Sequence, residues 1–582
     1  MKWKLDDILK IEEFDGLYLE IEKDLEQLKK YASELDPKMS EEKFKELIEF
    51  EEKFGDKTSR LGGLPSLMLS IDTKDQAARL MQTRAEDLGL KISEIGIKIG
   101  HFMKGIGSPP VGGLDDENAK RLFKVIPDLE YSFNYARSAA KYTLKENEEN
   151  IINNKDVNGI SSVNELRELI STEFRYEMLG KKINTQSELL TYFYSDKKEE
   201  RQAAYEALLN KQKENIDKFF VIYQSVVKDW NYEAKLRGYK SPIAVRNFGN
   251  ELDDTTVETV IKVTRDNKNI FHRYFAIKAK EMSENKLNRF DIYAPTNNVD
   301  IDMNYDEIQD LVIKTFTEFS PRFAKAAQQI IDKKHIDNLP GENKRSGAFC
   351  ATINRNIDPY VMMNFTGKRR DVYTLAHELG HGVHSIYANK HYSSTQHANL
   401  PLAETASTLG ELALFEKLLD AETDKKVKKT MLMEKIGDLY ATVLRQNYFT
   451  LFEKEAHEAI QKGITEKELS EMYLNNLKEE FGESLEIPEI FKYEWSYISH
   501  IFESPFYCYA YTFGQLLALS LYKQYKEDKD GTLKIIENVL EAGGSQNPTE
   551  LLKQNGIDIQ DTVFWQKGCD IIDTWVSDLE ML

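Results

Sequence analysis

Two histidines four residues apart, in the run His377-Glu378-Leu379-Gly380-His381, constrain this chain more than any other stretch. They lie within residues 371–390, where Val372, Leu375, Ala376, Leu379, Val383 and Ile386 recur at the three-and-four spacing of an amphipathic helix. One helical turn brings both imidazoles to one face, about 6 Å apart along the axis, so that their ring nitrogens can converge on a single ion. Glu378 points to one side of the pair. There it is out of ligand position but within reach of a water beside the ion, where a general base belongs. With 10 histidines and 98 acidic residues in 582 positions, chance yields a His-acid-x-x-His match only roughly 0.03 times. The competing reading, a helix with ordinary core or surface histidines, is the poorer account.

A catalytic zinc takes a third protein ligand and leaves one position open. A third histidine ten residues after the first is excluded, because that position is Tyr387. A glutamate from a second helix is the other solution. Residues 400–421 predict such a helix, with Pro401 near its start, an apolar stripe of Leu402, Ala406, Leu409, Ala413 and Leu414, and Glu404 one turn in on the polar side. Glu411 lies seven residues further on nearly the same face. It is either an acceptor for the free imidazole N–H of a ligand histidine or an exposed helix acid. His384 is two turns, about 10 Å, from His377 and cannot complete the same site, so it is read as core or as a support behind the ligands. His391 and His397 fall in the polar connection 389–399 and are loop candidates.

The segment His-Glu-Leu-Gly-His-Gly-Val-His-Ser at 377–385, followed by Leu402-Ala403-Glu404-Thr405-Ala406-Ser407-Thr408, resembles the oligoendopeptidase F family, within the thimet oligopeptidase-like group of zinc peptidases. The stretches 345–350, 359–365, 495–514 and Ala542-Gly543-Gly544-Ser545 are similar to further segments of that family, and the matching motifs run from Arg237 to the C-terminus. The resemblance implies one Zn2+ per chain on His377, His381 and Glu404, with Glu378 as the base. It also implies a mainly α, ellipsoidal protein of two lobes around a deep central channel, with a small β subdomain next to the zinc-binding helix. Such a channel admits short unfolded peptides, which makes intracellular peptide turnover the implied task. In related peptidases a histidine and tyrosines of the 495–511 region donate hydrogen bonds to the substrate carbonyl and the developing oxyanion; His500, Tyr507 and Tyr509 are the matching catalytic candidates, with Tyr511 as a substrate contact. Composition alone reads the same tyrosines as a buried aromatic stripe, and spacing does not say which of them face a cleft.

Upstream of the histidine helix, residues 346–353 and 359–365 have strand-like composition around a turn at 354–358. A strand bordering a metal site offers unpaired backbone groups to an extended peptide, which makes Gly347, Ala348 and Phe349 substrate-binding candidates; the plainer alternative is a hairpin that only supports the helix. The rest of the chain reads as charged amphipathic helix, broken at Gly62-Gly63-Leu64-Pro65 and by an interhelical turn or linker at 105–113, with 197–237 as one long helical stretch and 290–295 as an extended entry to the catalytic part. At 582 residues it exceeds one ordinary core, and the expected division is an N-terminal helical domain, 1–195, and a catalytic domain, 196–582.

The formal charge of −20 disfavours nucleic acid and anionic membrane as partners. No apolar run follows the basic residues of the N-terminus, none later approaches a membrane span, and the three cysteines are odd in number without metal spacing, so a reducing cytoplasm is the expected compartment. The expected partners are short peptides, and the chain is a monomer or a homodimer. Two other functions stay open. A carboxypeptidase or dipeptidyl carboxypeptidase would need a cation for the terminal carboxylate, for which Arg345, Lys368, Arg369 and Arg370 are available; a non-catalytic helical peptide-binding module would need no base at Glu378.

Overall fold

The structure, a computed structural model, describes residues 2–107, 112–295 and 303–582. The turn expected at 105–113 therefore lies partly outside the described residues. Helices dominate both compact units into which the chain divides. Met1–Glu146, Asp300–Leu418 and Tyr525–Ile557 form the first unit, and Asn147–Val299, Leu419–Gln524 and Asp558–Leu582 the second. A cut between residues 195 and 196 falls inside the second unit.

In the first unit the helices Phe14–Ser33, Glu41–Ile71 and Gln76–Lys104 pack through their apolar faces. The break expected at Gly62–Pro65 does not occur, because that stretch lies inside the Glu41–Ile71 helix. Leu61, Leu64 and Leu67 on its inner face are 2%, 1% and 3% exposed. Burying three leucines contributes about 1.5–3 kcal/mol each, which exceeds the roughly 3 kcal/mol cost of one interior proline. Gly63 has a separate reason to be small, since a Cβ there would lie 2.7 Å from the side chain of Ile353, where the helix meets the strand region.

The expected strands form, shorter than read, as Phe349–Ala351 and Tyr360–Met362, paired antiparallel with Cys350 opposite Val361. A third strand that the sequence did not suggest, Ile336–Asp337, pairs in parallel with the far side of Tyr360–Met362. The order leaves Phe349–Ala351 at the sheet edge. The histidine helix spans Arg369–Tyr387, and in its first turn the Asp371 carboxylate reaches back to accept from the Thr366 and Lys368 amides.

In the second unit the long stretch from 197 is two helices, Lys198–Glu214 and Ile216–Leu236, meeting at Asn215. The helix Asp254–Asp266 starts on Asp253, which accepts from the Thr256 amide at 2.8 Å. The segment expected to be extended at 290–295 instead enters through a 3-10 turn, Arg289–Asp291, which brings Asp291 within 2.6 Å of Arg201. Both partners of that pair are 1% exposed, and a straight strand would leave one of these buried charges unpaired. No helix among the described residues is long and apolar enough to cross a membrane.

Candidate active site

Helix geometry places His377 and His381 on one face of Arg369–Tyr387, with their Nε2 atoms 3.1 Å apart. Glu404 arrives from the next helical segment. Its Oε2 lies 3.5 Å from His377 Nε2 and 3.4 Å from His381 Nε2. Ligand atoms 2.0–2.1 Å from a tetrahedral zinc would be separated by about 3.4 Å, so the three donors already have the spacing such an ion requires. The helix expected over 400–421 is interrupted at the ligand itself: Leu400–Ala403 ends at Glu404 and Thr405–Ala421 follows. Ser407 Oγ donates to Glu404 Oε2 at 2.8 Å and fixes the carboxylate.

Close approach of the two helices is made possible by glycine. A Cβ on Gly380, inside the histidine motif, would lie 2.5 Å from Ser407 Cα, and one on Gly410 would lie 3.3 Å from the Ala376 carbonyl oxygen. Glu411 is no idle surface acid, because its Oε1 accepts from His377 Nδ1–H at 2.5 Å. That bond fixes the tautomer, leaving the Nε2 lone pair aimed at the His381–Glu404 side.

Electrostatics reinforce the arrangement. Burial pulls the His377 pKa down, but the Glu411 hydrogen bond and charge, with Glu404 and Glu378 behind them, lift it to about 9. Burial, the largest cause, pulls His381 below its ordinary value. Glu378 is 7% exposed, and burial raises its pKa to about 7, opposed by His377 and assisted by Glu404 and Glu411. A carboxyl with a pKa near neutrality beside a metal-ligand cluster is the expected state of a general base.

His377, Glu378 and His381 line a cavity of about 360 Å³ together with Ala348, Phe349, Cys350 and Thr352 of the edge-strand segment. Ala348 and Phe349 thus meet the site, whereas Gly347 does not line the cavity. It turns the chain at φ +83°, with its carbonyl accepting from Asn364 Nδ2 at 3.0 Å. The far wall holds His384, Ser385, Gln396 and His397; of these the sequence reading weighed only His384 and His397, as ligand candidates, and none as lining. The available signal was the continuing period, since 384 and 385 lie on the next turn of the histidine helix. His391 is tied to Asp128 and to the Glu541 carbonyl, a structural role. Gly543 and Gly544 of the C-terminal signature back this wall: Gly544 N donates to the Thr395 carbonyl at 2.8 Å, and a Cβ on Gly543 would lie 2.5 Å from the Gln396 carbonyl oxygen.

In the second unit His500, Tyr507 and Tyr511 form a cluster of their own. His500 Nε2 is 3.3 Å from the Tyr511 hydroxyl, and the His500 and Tyr507 rings are stacked at 6.2 Å and 17°. Tyr509 does not join them. It is 0% exposed at the start of the helix Tyr509–Glu527, and its hydroxyl accepts from Asn250 Nδ2 at 2.8 Å.

Residues 191–571 match the model of Peptidase family M3. The chain is 29% identical over 426 residues to the Oligoendopeptidase F homolog of Borreliella burgdorferi, covering 72% of each chain. It is 27% identical over 403 residues to Oligopeptidase PepF of Bacillus subtilis, covering 68% of this chain and 60% of that one. Among solved structures, a peptidase from Chlamydophila abortus superposes with a TM-score of 0.90 at 22% identity, covering 100% of this chain and 98% of the other. Oligoendopeptidase-F from Enterococcus faecium superposes with a TM-score of 0.71 at 21% identity, covering 98% of each chain. At such identities the structural likeness speaks for a shared, mainly α fold.

Proposed function

The chain belongs to peptidase family M3, a family of metalloendopeptidases, and on that premise we propose that it is a zinc-dependent endopeptidase hydrolysing internal bonds of short, unstructured oligopeptides. The observation that carries the metal is the spacing of His377 Nε2, His381 Nε2 and Glu404 Oε2, at 3.1, 3.4 and 3.5 Å from one another. These three side chains would hold one zinc ion, with Glu411 fixing the first imidazole. When bound, the ion supplies Lewis acidity, several kcal/mol of stabilisation for charge developing on oxygen.

Glu378 accepts the proton of the attacking water and passes it to the leaving amine. The edge strand at Ala348 and Phe349 holds the peptide main chain by adding a strand, which favours broad sequence tolerance. His500, Tyr507 and Tyr511 serve as neutral donors to the carbonyl oxygen, about 3 kcal/mol per donor where such groups are well placed. Tyr511 takes the place first given to Tyr509. Oligopeptides as substrates are supported by the names of the relatives, and turnover in a reducing cytoplasm agrees with three unpaired cysteines. Internal cleavage is supported over terminal cleavage in that neither lysine nor arginine is among the described residues lining the cavity at His377, Glu378 and His381.

The test is an internally quenched peptide blocked at both ends. Cleavage that a chelator abolishes and zinc restores is expected, and release only from a free C-terminus would replace the endopeptidase by a carboxypeptidase. Glu378→Gln is expected to keep one zinc per chain and lose about 10²–10⁴-fold in turnover. Full activity in that variant would remove Glu378 from the role of base.

A further inference from the structure

The segment between the helices His500–Glu503 and Tyr509–Glu527 carries an unusual backbone. Of the five described non-glycine residues with positive φ, four are at least partly exposed, and Phe506, at φ +59°, is 1% exposed. A bulky L-residue held there is strained and persists only where its surroundings impose it. The surroundings are identifiable. Phe506 N–H donates to Glu453 Oε1 at 2.8 Å, from a helix, Arg445–Lys462, far away in sequence. Glu453 is 0% exposed, and among the described residues its ion-pair contact is His457, whose Nε2 lies 3.9 Å from Oε1. One turn on, His457 is 1% exposed, its ring lies 4.5 Å from that of Phe506, and its Nδ1–H donates to Asn231 Oδ1 at 2.8 Å. Burial pushes the Glu453 carboxyl well above its ordinary range and pulls His457 down to about 3. On the other side Arg246 Nε donates to the Pro505 carbonyl at 3.1 Å.

We propose that Glu453 is a positioning residue for peptide hydrolysis: its buried carboxyl clamps Phe506 in the left-handed conformation and thereby sets Tyr507 against His500 and Tyr511. Burying an acid whose ion-pair contact is a histidine 3.9 Å away is costly to stability, and the hydrogen bond that its Oε1 accepts is spent on the strained amide next to Tyr507. The proposal rests on His500, Tyr507 and Tyr511 acting as donors to substrate, as proposed above.

The experiment uses the full-length, zinc-loaded chain and the end-blocked quenched peptide, with kcat normalised to zinc content. Glu453→Leu, which keeps bulk and removes the acceptor, is expected to lower kcat about tenfold or more with KM within about threefold, since a misaligned donor is felt in the transition state. Glu453→Gln keeps a neutral acceptor and restores kcat. Should Glu453→Leu fail to fold, Glu453→Asp, whose acceptor is withdrawn by one methylene, is judged by the same split. Wild-type kcat in a folded Leu or Asp variant, or no rescue by Gln, overturns the proposal. Tyr507→Phe separates the two levels: full turnover there sinks the donor assignment itself, whereas loss in Tyr507→Phe with wild-type kcat in Glu453→Leu overturns the clamp alone.

Discussion

At the residue scale, the bond from His377 Nδ1 to Glu411 does two opposed things. It aims Nε2 for a metal, yet it lifts the imidazole pKa to about 9, so at neutral pH a proton competes for that nitrogen. Binding a cation must release the proton, and zinc affinity is therefore expected to rise about tenfold per pH unit between pH 7 and 9 and to level off above. Competition against a chelator at each pH measures this, and a flat profile would contradict it. Glu411→Ala removes both effects, weakening zinc about 10–100-fold while flattening the pH dependence. Glu453 gives a prediction of opposite sign. Its folded pKa lies above the ordinary 4.5, so the folded state keeps a proton that the unfolded chain gives up, and stability falls as pH rises above 4.5. His457, Tyr223, Cys508 and Arg246 are the titratable groups around it. Glu453→Gln should raise Tm at pH 8 relative to the parent, with the difference vanishing near pH 4. Glu378 was legible from the motif because one helical position fixes its direction. The choice between Tyr509 and Tyr511 was not legible, because it depends on Asn250 reaching the Tyr509 hydroxyl from a distant helix.

At the element scale, the site depends on how closely two helices approach. Gly380 sits against backbone, Ser407 Cα and the Ala406 carbonyl oxygen, whereas the close contact of Gly382 is the flexible end of Ile330. Gly380→Ala cannot be absorbed by a rotamer change and must push Glu404 away from the imidazoles. It is expected to cost about 1–3 kcal/mol and to lower zinc retention, while Gly382→Ala keeps full zinc. Calorimetry with metal analysis distinguishes them, and equal zinc retention in both would refute the close-approach argument. The helix Arg369–Tyr387 was visible as a periodicity and the strand pair as strand-like composition around a turn. The break at Glu404 and the unbroken helix through Pro65 were not, since each is settled by packing partners that override local preference.

At the scale of the whole molecule, all three candidate ligands belong to one unit, although 377 and 381 are separated from 404 by a loop. Zinc at about a thousand times its Kd should stabilise that unit by about 4 kcal/mol, and slowed amide exchange should concentrate in Arg369–Tyr387 and Thr405–Ala421. Exchange unchanged by zinc in those helices would argue against the ligand set. By itself the sequence determined the helical character, the pairing of His377 with His381, the direction of Glu378 and the family resemblance, because these follow from the 3.6-residue period and from local motifs. Only the tertiary structure decided how near Glu404 comes, that Glu411 holds His377, which tyrosine is buried, and that Glu453 meets Phe506. Those depend on contacts between residues distant in sequence, and no local period encodes the distance at which two helices stop.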